Sequence, residues 1–219
     1  LVPDINRSDL SFTIEDSKKI RFGLAKIKGL GKSVLGIVLE RNQNGAYNSI
    51  GDFAVRAEPD KKALEALTES GALDNFCDNR LAVFQMLDAI KPDIKKLKDQ
   101  RKKMAAAIDA KKAEAYREKA EATMGKLLAV KPDLDICENP LEKLLKEREL
   151  LGDFVSGHPL DHYAVPSKLG AIEIGKALMM DSGRKISVTG IISDFRVRNR
   201  RADGANFGVF KIRDKTGEI

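Results

Sequence analysis

The chain has 219 residues, 42% of them hydrophobic and 33% charged, with aromatics scarce at 5% and no tryptophan. This balance fits a globular protein with room for one or two cores and excludes collagen-like chains, and no apolar run approaches the ~20 residues that cross a bilayer. The net charge of +6 suits a polyanionic partner, and residues 91–126 alone hold twelve Lys/Arg against six Asp/Glu, an excess equal to that of the whole chain. Cys77 and Cys137 sit in unrelated contexts without a C-x-x-C pattern or a nearby histidine. They read as free thiols of a reducing compartment, and with no signal segment the expectation is a soluble, cytoplasmic protein.

Residues 1–16 have a loop-like composition with a short strand expected around 10–14. Asp16 or Ser17 could cap a helix running toward Ile27. Then come Gly29, Leu30 and Gly31, followed by a second apolar-periodic segment that begins near Lys32. Such a turn leaves bare backbone N–H groups at a helix start, where unsatisfied donors and the macrodipole favour a phosphate, and Lys28 and Lys32 add charge. The bland alternative is a tight helix connection that simply uses glycine's freedom at positive φ. Residues 27–31, Ile-Lys-Gly-Leu-Gly, nevertheless resemble the hydrophobic-x-Gly-hydrophobic-Gly turn of helix-hairpin-helix DNA-binding modules.

Further on, Ser49 and Asp60 read as helix caps, and Leu64 and Leu67 as the buried side of a helix stopping at Gly71. With the apolar segment that follows Asn79 this makes a second helix-hairpin-helix outline, whose turn, Ser70-Gly71-Ala72-Leu73, has one glycine and so fewer free amides. Residues 91–126 carry a sparse apolar stripe at Ile94, Leu97, Met104 and Ile108 and read as a long, mostly solvated helix or helical pair, either a solvated face or a basic arm touching nucleic acid or protein. Asn139 followed by Pro140 opens a clearer helix. His158 and His162 are four apart, but Pro159 between them argues for a hydrogen-bonded turn rather than a metal site. From about residue 186 the period changes to two: one strand runs to Arg200, a turn follows at 201–204, and a second strand covers 207–212. Arg196, Arg198 and Arg200 alternate along one strand face, suiting either a nucleic-acid backbone or a charged, soluble edge.

Taken in order, several blocks resemble the C-family replicative DNA polymerases, the bacterial DNA polymerase III alpha subunits. They are Pro3-Asp4-Ile5-Asn6-x-Ser8, the 20–31 segment, Leu64-x-x-Leu67-x-x-Ser70-Gly71-Ala72-Leu73-Asp74 with Asn79-Arg80, Glu147-x-Glu149-x-Leu151-Gly152, Ser156-Gly157-His158-Pro159-Leu160 and Thr189-Gly190-Ile191-Ile192-Ser193. The resemblance implies a mainly α fold, a tandem helix-hairpin-helix and a charged helical segment, followed by the first strands of a truncated antiparallel OB-fold barrel. It implies the end of the fingers at 1–16, the tandem helix-hairpin-helix domain at 17–90, the charged segment at 91–138, a helix and connection at 139–183, and the start of the OB-fold at 184–219.

The resemblance also implies a DNA-holding role without catalytic residues. Duplex product would meet Lys28, Gly29, Leu30, Gly31, Lys32 and Ser33, and more weakly Ser70, Gly71, Ala72 and Arg80; Arg196, Arg198, Arg200 and Arg201 would guide single-stranded template. The family's palm aspartates and their magnesium ions would lie upstream, with no cofactor in these residues. Its partners include other replicase subunits and a sliding clamp, but the glutamine-and-aromatic clamp peptide has no recognisable counterpart, residues 125–128 being the nearest positional match. The rival from another class is a stand-alone helix-hairpin-helix scaffold of repair or recombination.

Overall fold

A computed structural model describes residues 1–16, 18–163, 170–201 and 204–219, which form two compact units, Leu1–Ser156 and Gly157–Ile219. The first unit opens with an extended segment in which Ile5 is fully buried and donates its N–H to the Ala72 carbonyl at 2.8 Å. Strands β1 (Thr13–Glu15) and β2 (Lys19–Arg21) then pair antiparallel, with Thr13 opposite Arg21. This replaces the helix expected to run from Asp16 or Ser17 to Ile27. The chain turns at Asp16, whose φ is 52°, and Arg21 secures the return by donating to Glu15 at 2.9 Å and to the Val2 carbonyl at 2.9 Å. Ser17 itself lies outside the described residues. Only a single helical turn, Leu24–Lys26, remains of the expected helix.

Among the described residues six helices complete the unit: α1 (Ser33–Asn44), α2 (Ile50–Ala57), α3 (Lys61–Glu69), α4 (Arg80–Ala106), α5 (Ala110–Ala129) and α6 (Pro140–Leu151). Their starts follow capping chemistry. Ser49, Asp60, Asn79 and Asn139 accept hydrogen bonds from the N–H groups of Asp52, Ala63, Ala82 and Leu141 at 3.0, 2.8, 3.0 and 3.0 Å, each satisfying an otherwise orphaned donor. The apolar faces converge on one core in which Leu24, Phe53 and Leu67 are fully buried.

The charged stretch from residue 91 is no separate arm. Helix α4 passes through residues 90 and 91 without a break, and α5 folds back against it. Ile94, Leu97 and Gln100 of α4 and Ala120, Thr123 and Leu127 of α5 are buried, so the first half of the expected stripe packs the pair; Met104 is half-buried, and Ile108, beyond the end of α4, is fully exposed. Helix α5 also approaches α2 so closely that a Cβ at Gly51 would lie 2.4 Å from the Leu127 carbonyl oxygen.

In the second unit, a one-turn helix at Pro159–His162 and the short α7 (Ile174–Ala177) precede β3 (Ile191–Asn199) and β4 (Asn206–Arg213). The strands are antiparallel, Ile191 facing Arg213 and Asn199 facing Asn206, with an irregularity between Ile192 and Asp194. β3 starts later than the alternating pattern suggested, since Val188 makes only an isolated bridge to Ile172. Ala202 and Asp203, in the expected 201–204 turn, lie outside the described residues. The fold is mainly α, followed by antiparallel strands of the kind that open an OB-fold, which uses five when complete.

Candidate nucleic-acid interface

The first hairpin is anchored from beneath and open above. Ile27 and Leu30 are buried, while Lys28, Gly29, Gly31 and Lys32 are exposed and Ser33 is half-buried. Gly29 has φ 87° and Gly31 φ 57°, which L side chains rarely adopt, and a Cβ on Gly31 would meet no atom within 4 Å. Backbone conformation rather than crowding therefore requires glycine there. The Lys28 N–H is spent on the Leu150 carbonyl near the end of α6 at 3.1 Å, and the Leu30 N–H on the Ile27 carbonyl at 3.4 Å. Ser33 donates its hydroxyl to the Leu30 carbonyl at 2.7 Å. The N–H groups of Gly29, Gly31, Lys32 and Ser33 donate to no group among the described residues. Four free donors thus sit at the positive end of α1, flanked by two lysines.

The second hairpin, where Ser70, Gly71, Ala72 and Arg80 were expected to make weaker contacts, is closed. Ser70, Gly71 and Ala72 are buried, and their N–H groups donate to the carbonyls of Ala66, Thr68 and Leu67 at 3.0, 3.1 and 2.9 Å. Arg80 is also buried: its side chain exposes 5% of its surface and donates to Asp74 at 2.7 Å, to Glu147 at 3.0 Å and to the Glu69 carbonyl at 3.0 Å. A Cβ on Gly71 would lie 2.2 Å from the Arg80 Nη2, so this glycine makes room for a guanidinium. Burial pushes the Asp74 carboxyl above its ordinary pKa, more than the Arg80 hydrogen bonds pull it down. Burial opposes the charge on Arg80 as well, but Asp74 and Glu147 outweigh it and raise its pKa. In this arrangement Arg80 is an internal strut.

On the β3–β4 ribbon, Arg196 and Arg198 share a face with their cross-strand partners Val209 and Phe207. Both arginines are exposed; Arg196 pairs with Asp194 at 2.9 Å, and Arg198 forms no ion pair among the described residues. Arg200 and Arg201 follow the end of β3, where the Arg200 N–H donates to the Ala205 carbonyl at 2.8 Å. The basic strip therefore has two strand positions and two positions in the connection.

A helix-hairpin-helix motif model matches residues 1–83, taking in both hairpins. Three similar proteins are all called DNA polymerase III subunit alpha. That of Aquifex aeolicus is 33% identical over 223 residues, covering 100% of this chain and 17% of the relative. That of Borreliella burgdorferi is 30% identical over 233 residues, again 100% of this chain and 19% of the relative. That of Xylella fastidiosa, strain Temecula1, is 36% identical over 169 residues, 74% of this chain and 13% of the relative. The chain belongs to the DNA polymerase III alpha-subunit family. It spans less than a fifth of the length of these three alpha subunits.

Within this chain, the Glu147 block has a structural task that residue patterns alone did not reveal. The Glu147 side chain is fully buried; one oxygen accepts the N–H groups of Val155 and Ser156 at 2.6 and 2.7 Å, and the other meets Arg80. In the Ser-Gly-His-Pro-Leu block, the His158 Nδ1 accepts the Leu160 N–H at 3.2 Å while Asp161 accepts the His158 N–H at 3.3 Å, a reciprocal cap on the one-turn helix. Among the described residues no group of three or more His, Cys, Asp and Glu side chains is arranged to hold a metal ion. Residues 125–128, the nearest match to a clamp peptide, lie inside α5, and Leu127 is committed to the core.

Proposed function

We propose that this chain is the DNA-holding, non-catalytic part of a replicative DNA polymerase, gripping duplex product through phosphate contacts at the first hairpin. The observation that carries this reading is the set of four unspent N–H groups at Gly29, Gly31, Lys32 and Ser33, lying between Lys28 and Lys32 above the buried Ile27 and Leu30. Such a site contacts backbone and not base edges, so its grip is independent of sequence. Arg196 and Arg198 on β3, with Arg200 and Arg201 beyond it, guide single-stranded template. Phosphoryl transfer and its magnesium ions belong to acidic residues outside this stretch, and the working context is a soluble cytoplasmic replicase with its other subunits.

The test is a fluorescence-anisotropy titration of the 219-residue chain with short duplexes across a salt series. Wild type should bind unrelated sequences equally and lose affinity steeply with salt. Lys28→Gln/Lys32→Gln should reduce the salt slope by about two units. Gly31→Pro, which cannot reach φ 57°, should weaken duplex binding while leaving far-UV helicity in place. A shallow wild-type slope, a strong sequence preference, or unchanged affinity in both variants would overturn the proposal.

A further inference from the structure

The α4–α5 pair carries a groove that the hairpin does not explain. On α4, Lys96, Gln100 and Lys103 fall at helical spacing on one face; on α5, Tyr116, Lys119, Thr123 and Lys126 do the same, and the two faces line adjoining hollows that share Lys96, Gln100 and Lys119. Lys95 joins them at one edge. All five lysines are exposed, and none forms an ion pair among the described residues, although ion pairs elsewhere on α4 engage Lys91, Lys98 and Arg101. Asp99 is the one acidic side chain lining the groove among the described residues.

At the centre sits Gln100, which exposes only 8% of its surface, and its buried Oε1 has no hydrogen-bond partner. A buried carbonyl oxygen without a donor is costly, and an N–H of an unpaired base or a bound water that donates to it removes the cost. Tyr116 closes one end, half-buried, with the Lys119 ammonium 5.9 Å from its ring centroid.

We infer that this groove is a second nucleic-acid site, one that holds a single strand with its backbone on the lysines and an unpaired base on Tyr116. Lys96 and Lys103 are about 10 Å apart along α4 at about 1.5 Å per residue, so the lysine track is long enough to meet more than one phosphate of a strand. No arginine lines the groove among the described residues. The cations are therefore all lysines, point charges that hold a phosphodiester without fixing its orientation. The aromatic decides between polyanions: Tyr116 beside a lysine track is what a single strand uses, whereas an acidic polypeptide brings no flat base to stack on it.

The experiment titrates the 219-residue chain with fluorescent oligothymidylate, in wild type and in the Lys28→Gln/Lys32→Gln background, so that this site and the duplex hairpin are read separately. Lys96→Gln/Lys119→Gln should weaken oligothymidylate binding about tenfold at low salt and reduce the salt slope by about 1.4 in both backgrounds. Tyr116→Ala should weaken binding further with no change in slope, because it removes stacking and not charge. The exposed lysines should leave the melting temperature unmoved. Unchanged affinity and slope in the lysine variant would overturn the inference whatever the hairpin variants do. Displacement of oligothymidylate by poly-glutamate at equal charge concentration would overturn it too, identifying an acidic protein as the occupant.

Discussion

Glu147 shows how much one side chain can organise. It lies three residues after Leu144 and four before Leu151, a core position by helical spacing, so a carboxylate there must find partners in the interior. Arg80 is its complement. A cation at the first position of α4 opposes the helix dipole, which is itself a sign that a carboxylate lies close by. Both signals were present in the sequence, but the 67-residue separation of the pair hid their connection, and Arg80 was expected as a weaker contact to duplex DNA. The Gly29 and Gly31 turn was legible because its demands are local: positive φ at two positions and apolar anchors beside them. Removing Glu147 leaves a buried guanidinium short of a partner and two N–H groups unsatisfied. Glu147→Ala should cost about 3–5 kcal/mol and Glu147→Gln less, since the amide oxygen still serves Val155 and Ser156. Urea unfolding followed by circular dichroism measures both; a loss under about 1 kcal/mol for Glu147→Ala would show that water replaces the carboxylate.

For whole elements, what a segment carries within itself could be read in advance, and what depends on a distant partner could not. Ser49, Asp60 and Asn139 cap helices as their sequence context predicts. A strand was expected around 10–14, close to β1, but its partner β2 was missed because it is held by Arg21 reaching back to Glu15 and Val2, whereas the local pattern there favoured a helix. Two helical glycines separate the same two kinds of information. Gly36 in α1 has no atom within 4 Å of where a Cβ would sit, so the glycine there only weakens the helix. Gly51 in α2 faces the Leu127 carbonyl at 2.4 Å and lets α5 dock. Gly36→Ala should therefore stabilise the chain by up to about 1 kcal/mol, while Gly51→Ala should destabilise it by about 1–3 kcal/mol through overpacking of the α2–α5 contact. Thermal melts of the two variants check the pair. Shifts of the same sign would mean that the closeness of α2 and α5 has no energetic weight.

Across the whole molecule the two units differ in how they are held. The first has a continuous core; in the second, Phe195, Val197 and Phe210 expose 60, 60 and 51% of their surface, and a two-stranded ribbon gains little from burial. The polar centre at Asp214 matters correspondingly more. Its carboxylate accepts N–H groups from Ile174, Thr216 and Gly217 at 2.7, 2.7 and 2.9 Å and the Thr216 hydroxyl at 2.8 Å, tying the start of α7 to the turn after β4. Burial alone would raise the pKa of Asp214, but these four donors lower it by more, and the net shift is downward. A depressed carboxyl stabilises the fold fully above its unfolded value, near ~3.9, and that contribution is lost as the pH falls through the lower folded value. In an NMR titration the Ile174 and Gly217 amide signals should therefore hold their positions to below the ordinary aspartate range and then move together. In Asp214→Asn the acid step should vanish and amide exchange at Ile174 and Gly217 should accelerate at neutral pH, because an amide nitrogen then faces N–H donors. A midpoint at or above the ordinary aspartate value would show that burial, and not the four hydrogen bonds, governs this carboxylate.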